Sequence, residues 1–182
     1  EKISKKRKKN KATNQTHETK RKNRQKENFK THEKCKRENH LKCLKNIEVS
    51  IGKIIKQSKI YVSECWGVEN QRDYLNMVVA IKSIYDPTKV LKIISIIEND
   101  MGRIRKKKWD SRTIDIDILF FDKQIIKTKE LIIPHKHLDQ RMFVLRPLAD
   151  IAPFFIHPES KKNIKQLIKE CKDDSKVFEY EL

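Results

Sequence analysis

Glycine is scarce in this chain, with three among 182 residues. A loop that cradles nucleotide phosphates with its backbone N–H groups needs clustered glycines, so a Walker-type site is excluded. Cysteine is little better represented. Cys35, Cys43, Cys65 and Cys171 form no C-x-x-C pair and have no histidine at metal-ligand spacing. They read as reduced thiols, neither a disulfide framework nor a zinc site. No apolar run approaches the roughly 18 residues of a membrane span. No apolar core of a signal peptide follows the basic start. No membrane partner is expected, and the expected location is the cytoplasm.

What the chain has in excess is positive charge, unevenly spread. Residues 1–46 hold 18 Lys+Arg against 5 Asp+Glu, thirteen of the eighteen net charges. The high isoelectric point therefore belongs to the tail, and nucleic acid is expected only as a non-specific partner of that tail. Glu1 to about Thr31 nearly lacks large apolar residues, Ile3 and Phe29 being the exceptions. Such a segment cannot bury enough surface to offset the entropy of ordering. The expected division is a basic, disordered tail over residues 1–36 and one folded domain over 37–182.

Leu41, Leu44, Ile47, Ile51, Ile54 and Ile55 recur at three- and four-residue steps and predict an amphipathic helix. Ile60-Tyr61-Val62 is short and β-prone, Gly67 to Arg72 reads as a polar loop, and Tyr74 to Ile81 reads as one buried strand. Asp86-Pro87 is a helix start, Gly102 its stop, and Val90, Leu91, Ile94, Ile97 and Met101 its buried stripe. Ile125-Ile126 and Leu131-Ile132-Ile133 predict a short β excursion. Irregular structure follows, then a helix over Asn163 to Cys171. The order is that of an α+β fold, a mostly antiparallel sheet covered by helices on one side.

Between the second helix and that excursion lies W-D-S-R-T-I-D-I-D, Trp109 to Asp117. Alternation through Ile114, Ile116 and Ile118 predicts a strand with Asp115 and Asp117 on one face, roughly 7 Å apart at Cα. Like charges so placed need neutralising, either by salt bridges or by a divalent cation. The apolar setting favours the cation: magnesium takes one or two protein carboxylates together with substrate phosphates. Arg103, Arg105, Arg112 and Lys106 to Lys108 supply positive charge suited to phosphate oxygens. Those are the components of phosphoryl-type transfer.

These residues resemble the 6-hydroxymethyl-7,8-dihydropterin pyrophosphokinase family of folate biosynthesis. The resemblance runs from about Arg37 to Pro158. It rests on ordered motifs: Tyr74-Leu75-Asn76, Gly102-Arg103-Ile104-Arg105, Trp109 with Arg112-Thr113-Ile114-Asp115-Ile116-Asp117, Pro134-His135, Arg141 with Phe143-Val144-Leu145 and Pro147-Leu148, and Ile151-Ala152-Pro153 before His157-Pro158.

The resemblance implies a ferredoxin-like α+β fold that moves pyrophosphate from ATP to the hydroxymethyl group of the pterin, releasing AMP. It implies that Asp115 and Asp117 hold two Mg²⁺ ions, with Arg103 and Arg112 as catalytic cations. ATP would be met by Glu98, Arg105, Trp109, Ile118, His135 and Arg141. Ser63, Trp66, Tyr74, Asn76, Trp109 and Phe143 would form the pterin pocket.

The chain departs from the family pattern at three places. A strand and a glycine–serine–asparagine loop are missing or replaced before Arg37. Ser63-Glu64-Cys65 stands where threonine-x-proline is usual, and Asp110 where glycine is common. Two other readings compete: a polyanion- or nucleic-acid-binding protein that uses the tail, and a catalytically degenerate relative. Partner or fused folate-pathway domains are left open.

Overall fold

The computed structural model describes residues 37–63, 74–102 and 114–180. Contacts divide the chain after Asn39, and the fold below is that of the unit His40–Leu182. Helix α1 covers residues 37–50. It is followed by strands β1 (Gly52–Gln57), β2 (Tyr61–Ser63), β3 (Tyr74–Asn76) and β4 (Val79–Ser83) and helix α2 (Pro87–Asp100). Beyond residue 114 come the two-residue strands β5 (Ile126–Lys127) and β6 (Ile132–Ile133), helices α3 (Met142–Ile151) and α4 (Ile164–Glu170), and β7 (Val177–Glu179). All described strand pairs are antiparallel, so the class is α+β, as the sequence predicts. No described helix is long and apolar enough to cross a membrane.

The ladders among the described residues are β1–β4, β3–β2–β7 and β5–β6. The predicted first helix ends early: Ile54 and Ile55 lie on β1, not on α1. Gly52 makes the break. Its φ is 153°, and a Cβ there would sit 2.3 Å from the Lys82 carbonyl oxygen of the paired strand. The buried face of α1 is Cys43 and Ile47, continued by Ile51, whereas Leu41 is half exposed. Cysteine serves here as a small hydrophobe, and burial pushes its thiol up to about 11.

The single strand predicted over Tyr74 to Ile81 is two strands in different sheets. The chain changes sheet at Val78, whose N–H donates to Ser58 Oγ (2.9 Å) while its carbonyl accepts the Ser58 N–H (2.9 Å). One small polar side chain thus satisfies the backbone at the crossing.

Helix α2 follows its local signals. The Asp86 carboxylate accepts from the Lys89 N–H at 3.0 Å, Pro87 opens the first turn, and Gly102 (φ 90°) leaves it. Its buried side packs with α1 and Ile114 into one core, against which Ile54, Ile81, Ile116 and Ile118 lie. A second core joins Leu138, Leu145, Leu148, Ile164 and Leu167, with Leu119 and Phe120 packed on it. The predicted helix from Asn163 forms, closed by reciprocal bonds between Asn163 and Gln166. The stretch before it is less irregular than predicted, since it contains α3.

Residues 114–120 form no strand, contrary to the alternation-based expectation. The alternation itself is present. Ile114 is buried, Ile116 and Ile118 are half buried, and Asp115 and Asp117 are exposed. The backbone takes other partners: the Ile116 N–H donates to the Glu98 carboxylate at 2.9 Å, and the Leu119 carbonyl accepts from the His135 N–H at 3.0 Å. The segment runs between the two cores and carries its aspartates outward. The basic tail over residues 1–36 and the loop at Gly67 to Arg72 lie outside the described residues.

Candidate active site

Two groups of candidate residues come together. The first surrounds the aspartate segment. Glu98 is 3% exposed on the inner side of α2, and its carboxylate accepts the Ile116 N–H that lies between the two aspartates. A buried carboxylate needs such donors. Here the bond fixes the peptide from which Asp115 and Asp117 project. Glu98 thus supports the segment from beneath, and Ile118 is half buried against the first core.

His135 follows Pro134 and is tied to the same segment through Leu119. Its Nδ1 accepts the His137 N–H at 3.3 Å, so in the neutral ring the proton sits on Nε2. Burial pulls the His135 imidazole below its usual range. Asp117 opposes that shift, while Arg141 and His137 add to it. Asp117, Arg141 and His137 therefore all lie near the His135 ring.

The second group sits on the β2–β3 ribbon. Ser63 faces Tyr74 and Tyr61 faces Asn76 in the antiparallel register. Directly opposed residues share a face, so all four side chains stand on one side. The Asn76 amide nitrogen donates to Ser63 Oγ at 2.9 Å, and Ser63 is buried while Tyr74 is half exposed. The buried serine orients the amide of Asn76, and Tyr74 offers an aromatic face.

Helix α3 links the groups, packing against β2 and β3. It begins at Arg141, whose guanidinium lies 5.7 Å from the Phe143 ring centroid. Asp173 closes this end of the helix, its carboxylate accepting the Met142 N–H at 2.7 Å. Neither Asp173 nor His137 was identified from the sequence. Asp173 lies 31 residues from its partner, and no local signal marks it. Trp66, Arg103, Arg105, Trp109 and Arg112 lie outside the described residues, as do Lys106 to Lys108.

Among the described residues no three His, Cys, Asp or Glu side chains converge as a metal cage. That excludes a closed zinc-type site there. Two exposed carboxylates on one short segment instead fit a hard cation that keeps several waters.

Residues 11–153 match the family model of 7,8-dihydro-6-hydroxymethylpterin-pyrophosphokinase. The chain is 40% identical over 126 residues to the 2-amino-4-hydroxy-6-hydroxymethyldihydropteridine pyrophosphokinase of Aquifex aeolicus, covering 69% of this chain and 78% of that protein. It is 44% identical over 98 residues to the Bacillus subtilis protein of the same name, covering 54% and 59%. The Haemophilus influenzae counterpart is 36% identical over 124 residues, covering 68% and 77%.

Proposed function

This chain belongs to the 7,8-dihydro-6-hydroxymethylpterin-pyrophosphokinase family, and we infer from that membership that it transfers pyrophosphate from ATP to 6-hydroxymethyl-7,8-dihydropterin. The observation that carries the reading is the 40% identity over 126 residues to a pyrophosphokinase. In the reaction the pterin hydroxymethyl oxygen bonds to the β-phosphorus of ATP. The bond from that phosphorus to the α–β bridging oxygen breaks, AMP leaves, and the hydroxyl proton is lost. We further propose the cytoplasm, where ATP is plentiful, as the place of action.

We assign Asp115 and Asp117 as the residues that hold magnesium, two ions in all. Bound there, the metal neutralises charge on the triphosphate. The protein's own contribution is placement. Glu98 fixes the Ile116 peptide, so both carboxylates project from a segment seated between two cores. Arg141 and the neutral His135 face phosphate or ribose oxygens beside Asp117, the imidazole offering a hydrogen-bond donor at Nε2. Arg103, Arg105, Arg112, Trp109 and Ile118 complete the ATP side. On the pterin side, Asn76 pairs with the donor–acceptor edge of the bicycle, and Tyr74, Phe143, Trp66 and Trp109 supply stacking faces.

Incubating purified protein with ATP, Mg²⁺ and the hydroxymethyl dihydropterin should yield AMP and the pterin pyrophosphate in equal amounts. AMP formation that does not depend on the pterin would remove this reading.

Phe143→Ala should weaken pterin binding roughly ten- to hundredfold, the worth of one stacking face. Asn76→Ala should act in the same direction, and neither should change ATP affinity comparably. Calorimetric titration of each ligand separates the two effects. Unchanged pterin affinity in both variants would return these residues to a purely structural role.

We further propose that residues 1–36 are a tail outside the catalytic domain. Deleting them should shift the melting temperature by no more than about 4 °C, the shift of roughly 1 kcal/mol in a domain of this size, and should leave AMP formation intact. The family match begins at residue 11, which makes the opposite outcome informative. A deletion that melts far lower, or makes no AMP, would show that the basic segment belongs to the working enzyme.

A further inference from the structure

Two strands and a helix carry the described pterin-side residues, and one carboxylate joins the helix to the first of those strands. Tyr61 Oη lies 3.0 and 3.1 Å from the two carboxylate oxygens of Asp150, and the Lys59 N–H donates to the same carboxylate at 3.1 Å. Asp150 stands in the last turn of α3, Tyr61 opens β2, and 89 residues separate them in sequence.

The donors distinguish this contact from an ordinary surface ion pair. A lysine ammonium on a flexible stem costs side-chain entropy to hold and contributes little. Asp150 instead takes a phenol from the first residue of β2 and a backbone N–H from the segment just before it. Lys59 Nζ is engaged elsewhere, 2.7 Å from Glu179.

Two registers give the contact its consequence. Along α3, Asp150 lies seven residues beyond Phe143, two turns on the same helix face and about 10 Å along the axis. Across the ribbon, Tyr61 is the direct partner of Asn76, and Asn76 is hydrogen-bonded to Ser63. The helix face that carries Phe143 is therefore tied, two turns away, to the strand position facing Asn76.

We propose that Asp150 is a positioning residue for the pterin pocket, holding α3 in register with β2 through Tyr61 so that Phe143 meets the Ser63–Asn76 ribbon at the right spacing. The inference rests on the pterin-binding reading given above. Asp150 touches no substrate. It acts through Tyr61 and through the helix that bears Phe143.

The test uses the full chain with Asp150→Ala, Tyr61→Phe, Phe143→Ala and the double variant Asp150→Ala/Phe143→Ala. AMP formation is measured with each substrate varied in turn, and hydroxymethyl dihydropterin is titrated by calorimetry. Asp150→Ala and Tyr61→Phe should each raise the pterin KM and Kd about tenfold, the worth of one hydrogen bond to a charged group. The ATP KM should rise by less, because α3 carries only Arg141 of the ATP-side residues, while Asp115, Asp117 and His135 lie on other segments. The double variant should bind pterin no more weakly than Phe143→Ala alone, and Asp150→Glu should restore part of the loss. Equal rises in both KM values, or an Asp150 effect that adds fully to that of Phe143→Ala, would overturn the proposal. If Asp150→Ala fails to fold, Tyr61→Phe removes only one hydroxyl and decides the matter by the same measurements. An unaltered protein that binds pterin but makes no AMP sinks the enzymatic reading alone, because the titrations still read the register. An unaltered protein that binds no pterin sinks both.

Discussion

Replacing Asp115 or Asp117 by asparagine is expected to lower AMP formation about a thousandfold, corresponding to roughly 4 kcal/mol of lost transition-state stabilisation. The amide keeps the size of the side chain but is neutral and a poor ligand for magnesium. Both aspartates are exposed, so neither change opens a cavity, and the melting temperature should hardly move. Activity lost without stability is the signature that separates a metal-holding carboxylate from a structural ion pair. Titration with Mn²⁺, followed by its electron spin resonance in the presence of ATP, provides a reading independent of turnover. Variants that keep full activity and full metal binding would end the assignment.

The largest expected effect on folding comes from Leu145→Ala. Leu145 is fully buried in α3, packed among Leu138, Leu148, Ile164 and Leu167. Removing its branched end loses transfer energy and leaves a cavity between two helices, at a cost of about 2–5 kcal/mol. A protein with an overall stability of roughly 5–15 kcal/mol would lose a large fraction of it, and the melting temperature should fall by about 10 °C. Ile84→Ala is the matched control. Ile84 is 95% exposed, and its loss should change stability by no more than about 0.5 kcal/mol. Equal melts for the two variants would contradict the core assigned to α3 and α4.

Where structure follows from neighbouring residues, the sequence was a good guide. Asp86-Pro87 and Gly102 bracket α2 because a cap, a preset φ and a left-handed stop act within a turn of their own position. The outward placement of Asp115 and Asp117 was legible for the same reason, since alternation encodes it. That the segment joins no ladder was not legible. Its Ile116 N–H is satisfied by Glu98, 18 residues away. The break between β3 and β4 was hidden because Leu75 to Ala80 contains only one polar residue, Asn76. Only Ser58, 20 residues earlier, shows where the chain changes sheet. Pro147 concealed α3: it cannot return a hydrogen bond to the Phe143 carbonyl, and it stands in the middle of a ten-residue helix. Of the candidate site, Asn76, Asp115, Asp117, His135 and Phe143 stand in the ordered motifs that point to them. Asp150, Tyr61 and Asp173 are joined by contacts to distant residues that no motif marks.

The hold of Asp173 on the first turn of α3, together with β7 lying along β2, bears on how the protein is born. Residues beyond 153 fall outside the matched span of the family model. Yet one of them closes the helix end that bears Arg141 and Phe143, and Val177–Glu179 supply the outer neighbour of Tyr61–Ser63. During synthesis the aspartate segment and α2 leave the ribosome while both of these partners are still unmade. The first core has every described member by residue 121 and is free to assemble early, as N-terminal parts of a chain commonly do. The ribbon and its helix must wait until residues 173–179 have emerged. A nascent chain stalled between those points would hold its aspartate segment in place while the β2–β3 ribbon was still open. Ribosome-bound intermediates of graded length would reveal this as magnesium–ATP binding that arises before pterin binding.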